Sequence, residues 1–207
     1  MRIPENIKNI LFDLGGVLLD IDARRTVEAF GKIGMPDLIR PGGWGYDHDV
    51  FLQMEQGLLN DQQFRDGIRS LLPHPATDEQ IDQAWCAMLI GFNPRKIELL
   101  KELRKTYRLY LFSNTNNIHI NYFQHMFRNK FGFTLSELFV KDYYSSNIHM
   151  RKPSLEAYRK VLDDSSINPT ETLFIDDSEK NTENATLTGM QVIHLKPDMD
   201  LLSLFQY

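Results

Sequence analysis

The chain has 207 residues, 42% of them hydrophobic and 25% charged, a composition that excludes disordered, collagenous and coiled-coil arrays. Its net charge of −5, without any block of basic residues, disfavours general nucleic-acid binding. A single cysteine cannot form an internal disulfide, the N-terminal segment lacks the apolar core of a signal peptide, and no segment reaches the roughly 18 apolar residues of a membrane span. We therefore predict a cytoplasmic protein, larger than one minimal domain, that binds neither membrane nor nucleic acid.

Three short, nearly continuous apolar segments have the pattern of buried strands, and each is stopped by small polar or acidic residues. They are residues 7–12, 109–112 and 172–175. Residues 191–195 predict a further strand, and residues 137–144 are a candidate for another. Helical patterns occupy residues 94–107, 154–162 and 181–188. Strands that alternate with helices predict an α/β fold, a Rossmann-like parallel sheet with helices on both faces.

Residues 22–92 differ from the rest of the chain, because they contain helical patterns and no convincing strand. Turn-forming residues separate helical stretches at 24–33, 50–56, 61–72 and 78–90. We therefore divide the chain into an α/β catalytic core, residues 1–21 and 93–207, and an inserted helical segment, residues 22–92.

The polar residues that end the predicted strands should meet at one edge of the sheet. In an open parallel sheet, ligands bind beyond the carboxyl ends of the strands. The groups expected there are one carboxylate, one hydroxyl with an amide, and two adjacent carboxylates: Asp13, Ser113 with Asn114, and Asp176 with Asp177. Adjacent acids repel each other unless a cation or a proton intervenes, and oxygen ligands of this kind favour Mg²⁺.

A fourth element is a lysine that stands directly before a proline, in the run Met150-Arg151-Lys152-Pro153. The proline is suited to the start of a helix, so Lys152 lies just ahead of a predicted helix. Its ammonium group would supply positive charge both for a phosphoryl group and for the carboxylate that attacks it.

Taken together, these segments resemble the haloacid dehalogenase (HAD) superfamily of phosphohydrolases over nearly the whole chain. The motifs that carry the resemblance are F-D-L-G-G-V-L from Phe12, L-F-S-N from Leu111, R-K-P from Arg151, and F-I-D-D from Phe174, continued by Asn181. The insert resembles the C1-type helical cap that many members carry after the first motif. The first three motifs also resemble a branch of small bacterial phosphatases that act on hexose 1-phosphates.

The resemblance implies an Mg²⁺-dependent phosphomonoester hydrolase acting on a small phosphorylated metabolite, with a sugar 1-phosphate as one candidate. Asp13 would be the catalytic nucleophile that forms an aspartyl-phosphate, and Lys152 would bridge Asp13 and the phosphoryl group. The implied phosphate ligands are Ser113, the amide of Asn114, and Lys152. The implied metal ligands are Asp13, the main-chain carbonyl of Gly15, and Asp177, with Asp176 of the same metal site lying behind these ligands or contacting the metal through water.

One position departs from the family pattern. Most phosphatases of this superfamily carry a second aspartate two positions after the nucleophile, as general acid and base, and here Gly15 stands there. General acid–base assistance is typically worth about 10² to 10⁴ in rate. Three explanations stay open: an easily expelled leaving group, a substitute acid from Asp20, Asp22 or the cap, or the loss of ester hydrolysis. The rival functions are accordingly a hydrolytic dehalogenase that uses the same aspartate, and a scaffold without turnover.

Other side chains are candidates for substrate contact, each weighed against a role in packing or at the surface. They are Arg24, Arg25, Trp44, Tyr46, Glu55 for substrate hydroxyls, and His119. Cys86 is expected to be an inert buried thiol. His149 stands where the hexose 1-phosphate branch tends to have glycine, and histidine tolerates a positive φ better than a β-branched residue. The sequence specifies no oligomeric state.

Overall fold

The computed structural model describes residues 3–36 and 48–205. The strands are β1 (Asn9–Phe12), β2 (Leu19–Ile21), β3 (Leu89–Phe92), β4 (Arg108–Ser113), β5 (Lys141–Tyr144), β6 (Thr172–Asp176) and β7 (Gln191–His194). The helices are α1 (Ala23–Lys32), α2 (Asp49–Glu55), α3 (Asp61–Leu71), α4 (Asp78–Cys86), α5 (Pro94–Leu103), α6 (Asn117–Phe131), α7 (Ser145–Ile148), α8 (Leu155–Ser165), α9 (Glu179–Thr186) and α10 (Leu201–Leu204). Two short 3₁₀ helices lie at Leu135–Leu138 and Pro169–Glu171.

The expected parallel sheet is confirmed, with the strand order β5-β4-β1-β6-β7. Strand β1 occupies the centre, where Phe12 is paired in register with Leu111 on one side and Ile175 on the other. Every residue of β1 is buried, since a central parallel strand is covered on both faces. Because all five strands run in the same direction, the polar residues at their carboxyl ends meet at one edge.

Side chains of β1 alternate between two apolar layers, as the pleat of a strand requires. Leu11 packs in the layer that includes Phe112, Phe174 and Tyr158 of α8. Its neighbours in β1 belong to the other and larger layer, which continues into the helices between β2 and β3. The sheet therefore presents a rigid frame beneath its polar edge.

Helices α1 to α4 pack around their own aromatic cluster, formed by Phe30, Phe51, Phe64 and Trp85, all fully buried. The ring centroids of Phe51 and Trp85 are 5.0 Å apart, and those of Phe51 and Phe64 are 5.7 Å apart. Aromatic side chains of this size bury much apolar area per residue, so a few of them suffice to hold four short helices together.

The expectation that residues 22–92 hold no strand is wrong at their C-terminal end. Helix α4 ends at Cys86, whereas the expected helix runs to Ile90, and β3 follows and pairs antiparallel with β2. A short apolar run has the same composition in a buried helix and in a strand. Gly91 resolves the ambiguity, because its φ of +150° is incompatible with a helix.

The other predicted helices of residues 22–92 agree with the structure to within about two residues, the usual uncertainty of helix ends. Capping explains this agreement. Asp22 caps α1, and reciprocal side-chain and backbone hydrogen bonds of Asn60 with Gln63, and of Thr77 with Gln80, begin α3 and α4. Trp44 and Tyr46 lie outside the described residues. Within residues 3–36 and 48–205, no helix is both long and apolar enough to cross a membrane.

Candidate active site

Three carboxylates meet at the carboxyl edge of the sheet. Asp13 directly follows β1, Asp176 is the last residue of β6, and Asp177 comes next. Oxygen atoms of the three side chains lie within 4.8 Å of one another. Asp13 and Asp176 are buried, whereas Asp177 is exposed. The structure thus brings together the acids that the sequence placed at two separate strand ends.

Lys152 joins two of these carboxylates from the loop before α8. Its Nζ donates to Asp13 Oδ1 and to Asp176 Oδ2, both at 2.7 Å, and its side chain is 1% exposed. Burial acts to lower the pKa of Lys152, but the two carboxylates outweigh it, so the pKa lies above its usual value. The lysine is therefore held as a cation between the two aspartates.

Asp176 is fully engaged in hydrogen bonds. Its Oδ1 accepts from the backbone N–H of Ser178 at 2.8 Å and from Asn181 Nδ2 at 3.0 Å, and its Oδ2 accepts from Lys152 Nζ. These bonds fix the orientation of the carboxylate and of the start of α9. Asp177 is the more accessible of the adjacent pair.

Gly16 allows the loop after β1 to approach Asp177. Its φ is +74°, a left-handed conformation that favours glycine. A Cβ at this position would lie 2.1 Å from Asp177 Oδ2, far inside van der Waals contact. A side chain here would force Asp177 away from Asp13.

The charges of the cluster do not balance within the protein. Burial raises the pKa of Asp13 to about 7, against the opposing effect of Lys152. Burial and the neighbouring Asp176 also raise the pKa of Asp177. Among the described residues, Lys152 is the one cationic side chain that bonds to these three acids. Oxygen donors with this excess of negative charge fit a divalent cation such as Mg²⁺.

Ser113 and Asn114 lie at the end of β4, beside the acids. The side chain of Asn114 donates to the carbonyl of Lys152 and accepts from its N–H, both at 2.9 Å. These two bonds hold the backbone of Lys152 in place. The expected phosphate contact of Asn114 would therefore come from its main-chain N–H, while Ser113 is buried and lines the cavity.

A cavity of about 170 Å³ opens at this edge of the sheet. Its polar lining includes every site residue that the sequence predicted except the buried Asp176: Asp13, Gly15, Ser113, Asn114, Lys152 and Asp177. Further lining residues come from β2, from the end of α2, from the segment after α4 that leads into β3, and from α6: Leu19, Ile21, Glu55, Met88, Leu89, His119 and Phe123.

The two aspartates considered as substitute acids do not line this cavity. Asp20 Oδ1 accepts from Lys96 Nζ at 2.9 Å, and Asp22 forms a two-pronged ion pair with Arg24. Arg24 and Arg25 are exposed and also lie outside the cavity lining. Among the residues of the helical segment that the structure describes, Glu55 is the carboxylate that lines the cavity.

His119 lines the cavity, but its ring is engaged in packing. The ring stacks on Trp85 with a centroid distance of 4.5 Å, and its Nε2 lies 3.0 Å from the carbonyl oxygen of Trp85. Burial lowers the pKa of His119 to about 4, so the imidazole is neutral near pH 7 and donates from Nε2. These contacts favour a structural role.

Glu55 forms an ion pair that the sequence did not suggest. Arg151 Nη2 donates to Glu55 Oε2 at 3.0 Å, and the Glu55 side chain is 16% exposed. The partners are 96 residues apart in the chain, and no spacing rule links them. The one available signal was that Arg151 directly precedes Lys152.

Two further expectations concern single residues. His149 adopts a φ of +54°, so this position does require a residue that tolerates the left-handed region. Cys86 is buried, and burial raises its pKa to about 12, which keeps the thiol protonated and unreactive.

The carboxyl edge of the parallel sheet thus carries three acids, a buried lysine and a hydroxyl beside a small cavity, an arrangement suited to a hydrolase. The sequence profile of the haloacid dehalogenase-like hydrolases matches residues 7–183. The chain belongs to this family.

Similar proteins carry related activities. The chain is 34% identical over 175 residues to a D-ribitol-5-phosphate phosphatase of Bacteroides thetaiotaomicron. The aligned region covers 84% of this chain and 85% of the relative. It is also similar to a HAD family enzyme of the same organism, whose aspartate-to-alanine variant was crystallised with magnesium and inorganic phosphate. The two chains are 38% identical, and their structures superpose with a TM-score of 0.90 over 97% of this chain and 100% of that one. A predicted HAD-like hydrolase of Porphyromonas gingivalis is 30% identical, with a TM-score of 0.86, over 96% of this chain and 95% of that one.

The chain also shares its fold with an L-2-haloacid dehalogenase of Xanthobacter autotrophicus. The identity is 18% and the TM-score 0.57, over 90% of this chain and 76% of that one. A likeness at this identity is one of fold alone, because one fold hosts many chemistries.

Proposed function

We propose that the protein is an Mg²⁺-dependent phosphomonoesterase in which Asp13 is the nucleophile. The observation that carries this proposal is the cluster of Asp13, Asp176 and Asp177 within 4.8 Å, with Lys152 bonded to the first two. The similarity to a D-ribitol-5-phosphate phosphatase, and to an enzyme crystallised with magnesium and phosphate, supports it.

Asp13 supplies the electron pair that attacks phosphorus. A bond forms between a carboxylate oxygen of Asp13 and phosphorus, the bond between phosphorus and the ester oxygen breaks, and that oxygen leaves with the electron pair and takes up a proton. Water then attacks the aspartyl-phosphate, which releases inorganic phosphate and restores the carboxylate. Division into two displacements replaces one difficult step with two easier ones.

Lys152 and Ser113 would bind the phosphoryl oxygens during these steps. Lys152 already donates to Asp13 at 2.7 Å, so its ammonium group can hold the nucleophile while it offers a further N–H to the phosphate. Asn114 acts through Lys152, because its side chain fixes the backbone of the lysine. These fixed donors need little reorganisation as charge develops.

The residues that would hold Mg²⁺ are Asp13, the main-chain carbonyl of Gly15, and Asp177, with Asp176 directly or through water. When bound, the cation allows a carboxylate to approach an anionic phosphate and neutralises charge on the transferring oxygens. Because Asp176 already accepts from Lys152, Ser178 and Asn181, contact through water suits it better.

The substrate that we propose is a small phosphorylated sugar or polyol. A sugar 1-phosphate has an easily expelled anomeric oxygen, which suits a site without an acid at Gly15. A polyol phosphate such as that of the ribitol-5-phosphate phosphatase has a primary alkoxide as leaving group, which needs protonation more. The two classes therefore differ in how much they demand of an acid in the cavity.

Residues 22–92 would act as a cap over this site. Glu55 at the end of α2, Met88 after α4 and Leu89 at the start of β3 form part of the cavity lining. Such a cover would exclude bulk water during phosphoryl transfer and would select the substrate by its non-phosphate part.

The experiment that tests the proposal is a phosphate-release panel with and without Mg²⁺, in the native enzyme and in Asp13→Asn. The panel contains ribitol 5-phosphate, glucose 1-phosphate, a nucleotide and an acyl phosphate. We expect release that needs both Mg²⁺ and Asp13. If no substrate gave such release, the proposal would be wrong. An arm with 2-chloropropionate measures halide release without metal, the result that a dehalogenase would give.

A further inference from the structure

We infer that Glu55 determines specificity by accepting hydrogen bonds from hydroxyl groups of the substrate remote from its phosphate, and that Arg151 positions it. The chemical class that this arrangement recognises is the phosphate ester of a polyhydroxylated carbon chain. The inference rests on the proposed phosphatase function and adds to it the residues that recognise the alcohol part of the substrate.

Glu55 faces the same cavity as the proposed nucleophile. It is the last residue of α2, and it lines the cavity together with Asp13 and Lys152. Its Oε2 accepts from Arg151, whereas its Oε1 has no hydrogen-bond partner among residues 3–36 and 48–205. A carboxylate oxygen left open at a cavity wall can accept hydrogen bonds from a ligand.

The ion pair favours the accepting form of Glu55. Burial raises the pKa of this carboxyl, and Arg151 opposes the rise by charge and by a hydrogen bond. Because the ion pair with Arg151 already restricts the Glu55 side chain, little further conformational entropy is lost when a ligand binds.

Contacts between α2 and the core fix where Glu55 lies. The Ser145 hydroxyl donates to the carbonyl of Glu55 at 2.7 Å, and His149 Nδ1 lies 3.1 Å from the carbonyl of Gln56. Gly57, with a φ of +67°, passes so close to the core that a Cβ there would lie 2.0 Å from the carbonyl oxygen of Ser146. The end of α2 is thus held against the loop that leads to Arg151 and the catalytic lysine.

The rest of the cavity suits the carbon chain of such a substrate. Apolar side chains of Ile21, Met88, Leu89 and Phe123 line it, in addition to the polar groups at the sheet edge. With the phosphate held by Lys152, apolar walls would cover the carbon chain while Glu55 accepts from its hydroxyls. A hydroxyl-free phosphate ester would leave that carboxylate without a partner.

The test compares two substrates on each enzyme, ribitol 5-phosphate and phenyl phosphate, which has no hydroxyl groups. The measured quantity is the ratio of their kcat/KM values at saturating Mg²⁺. Glu55→Gln should lower this ratio by about 10- to 100-fold, mostly through a higher KM for ribitol 5-phosphate, because a hydrogen bond to a charged group is lost. Glu28→Gln, the same change at an exposed site on α1, should keep the native ratio.

A ratio in Glu55→Gln equal to that of the native enzyme would overturn the inference. Partial unfolding does not produce a false result, because it reduces the two rates equally. If Glu55→Gln does not fold, the same ratio is measured in Glu55→Asp. Because the shorter carboxylate is withdrawn from the substrate, the ratio should lie below the native one, and an unchanged ratio would overturn the inference.

Arg151 is tested by its effect on KM. Arg151→Gln should raise the KM for ribitol 5-phosphate while the KM for phenyl phosphate stays within about twofold, and Arg151→Lys, which keeps a cation, should restore part of the difference. Equal changes for both substrates would contradict the positioning role. A native enzyme that released phosphate from neither of these substrates nor from any member of the panel described above would overturn the phosphatase function itself, whereas activity on both with an unaltered ratio in Glu55→Gln overturns the role of Glu55 alone.

Discussion

The two walls of the cavity are built in different ways. The wall at the sheet edge consists of residues at strand ends or next to them, cross-linked by Lys152, whose Nζ lies 2.7 Å from two carboxylates. The rest of the lining includes Glu55, Met88 and Leu89 from the helical segment, and Glu55 is held to the core by a partly exposed ion pair with Arg151 at 3.0 Å.

This difference separates two tasks. Atoms that take part in phosphoryl transfer must be held closely, and buried strands with a buried ion pair provide that rigidity. A wall that recognises the substrate must first let it enter, so an ion pair more exposed than that of Lys152 suits it. Substitutions at the sheet edge should therefore abolish activity on every substrate. Substitutions in the helical wall, the lining formed by Glu55, Met88 and Leu89, should instead change which substrates are preferred.

The largest effect is expected at the nucleophile. Asp13→Asn keeps the size of the side chain but removes the attacking carboxylate, so kcat should fall by at least about 10³-fold for every phosphate ester. Steady-state phosphate release measures it. A variant that retained more than a tenth of the native kcat would contradict the assignment of Asp13.

The next largest effect is on stability. Lys152→Met leaves Asp13 and Asp176 buried without their cation, and breaking a buried ion pair typically costs about 3–5 kcal/mol. Urea denaturation of the metal-free protein measures the free energy of unfolding. The exposed Lys160→Met is the matched control and should change it by less than about 0.5 kcal/mol. Equal losses in both variants would mean that the ion pair does not stabilise the sheet edge.

His119 provides a pH-dependent test of the helical wall. Burial lowers the pKa of His119 in the folded state to about 4. Between about pH 4 and pH 6.5, His119 is therefore protonated in the unfolded chain but neutral in the folded protein. This contribution to stability is complete above pH 6.5 and is lost as the pH falls towards 4. Between pH 7.5 and pH 5, it should cost the native protein about 2 kcal/mol.

The measurement for this pH dependence is urea denaturation at the two pH values. His119→Gln keeps a neutral donor for the carbonyl of Trp85 and should lose about 2 kcal/mol less than the native protein over that interval. The exposed His125→Gln should behave as the native protein does. If all three proteins lost the same free energy, the ring of His119 would not be buried and neutral.

A smaller effect is expected at Gly16. Ala at this position would place a methyl group 2.1 Å from Asp177 Oδ2 on a backbone with a φ of +74°. Gly16→Ala should displace Asp177, raise the Mg²⁺ concentration for half-maximal activity by about tenfold, and lower stability by about 1–2 kcal/mol. A metal titration of activity measures the first change. The control Gly132→Ala has a comparable φ of +79° and nothing within 4 Å, so it should lose stability but leave the metal titration unchanged.

Much of the sheet edge could be predicted from the sequence, because its signals are local. The three apolar strands 7–12, 109–112 and 172–175 are each followed by polar residues, and parallel strands bring their ends together, so Asp13 and Asp176 could be predicted to meet at one edge without a structure. The lysine could be placed just ahead of a helix because a helical pattern follows Pro153, although α8 begins two residues after that proline rather than at it.

The helical wall could not be predicted to the same depth. Its contacts join residues that are far apart in the chain, as with Glu55 and Arg151, and no periodicity encodes such a pairing. The sequence does not predict β3, because a four-residue apolar run is compatible with either a helix or a strand. The φ of Gly91, which only the structure provides, excludes the helix. The sequence leaves His119 open between substrate contact and the helix surface, because its stacking on Trp85 depends on how two distant helices pack.

The central claim is that Asp13 becomes phosphorylated during turnover, and the most direct test is to find the phosphoryl group. The native enzyme is mixed with ribitol 5-phosphate and Mg²⁺, quenched in acid within milliseconds, digested, and analysed by mass spectrometry. The account predicts a phosphoryl group on Asp13 that is absent without Mg²⁺ and absent in Asp13→Asn. Turnover of the substrate with the phosphoryl group on another residue, or on none, would contradict it.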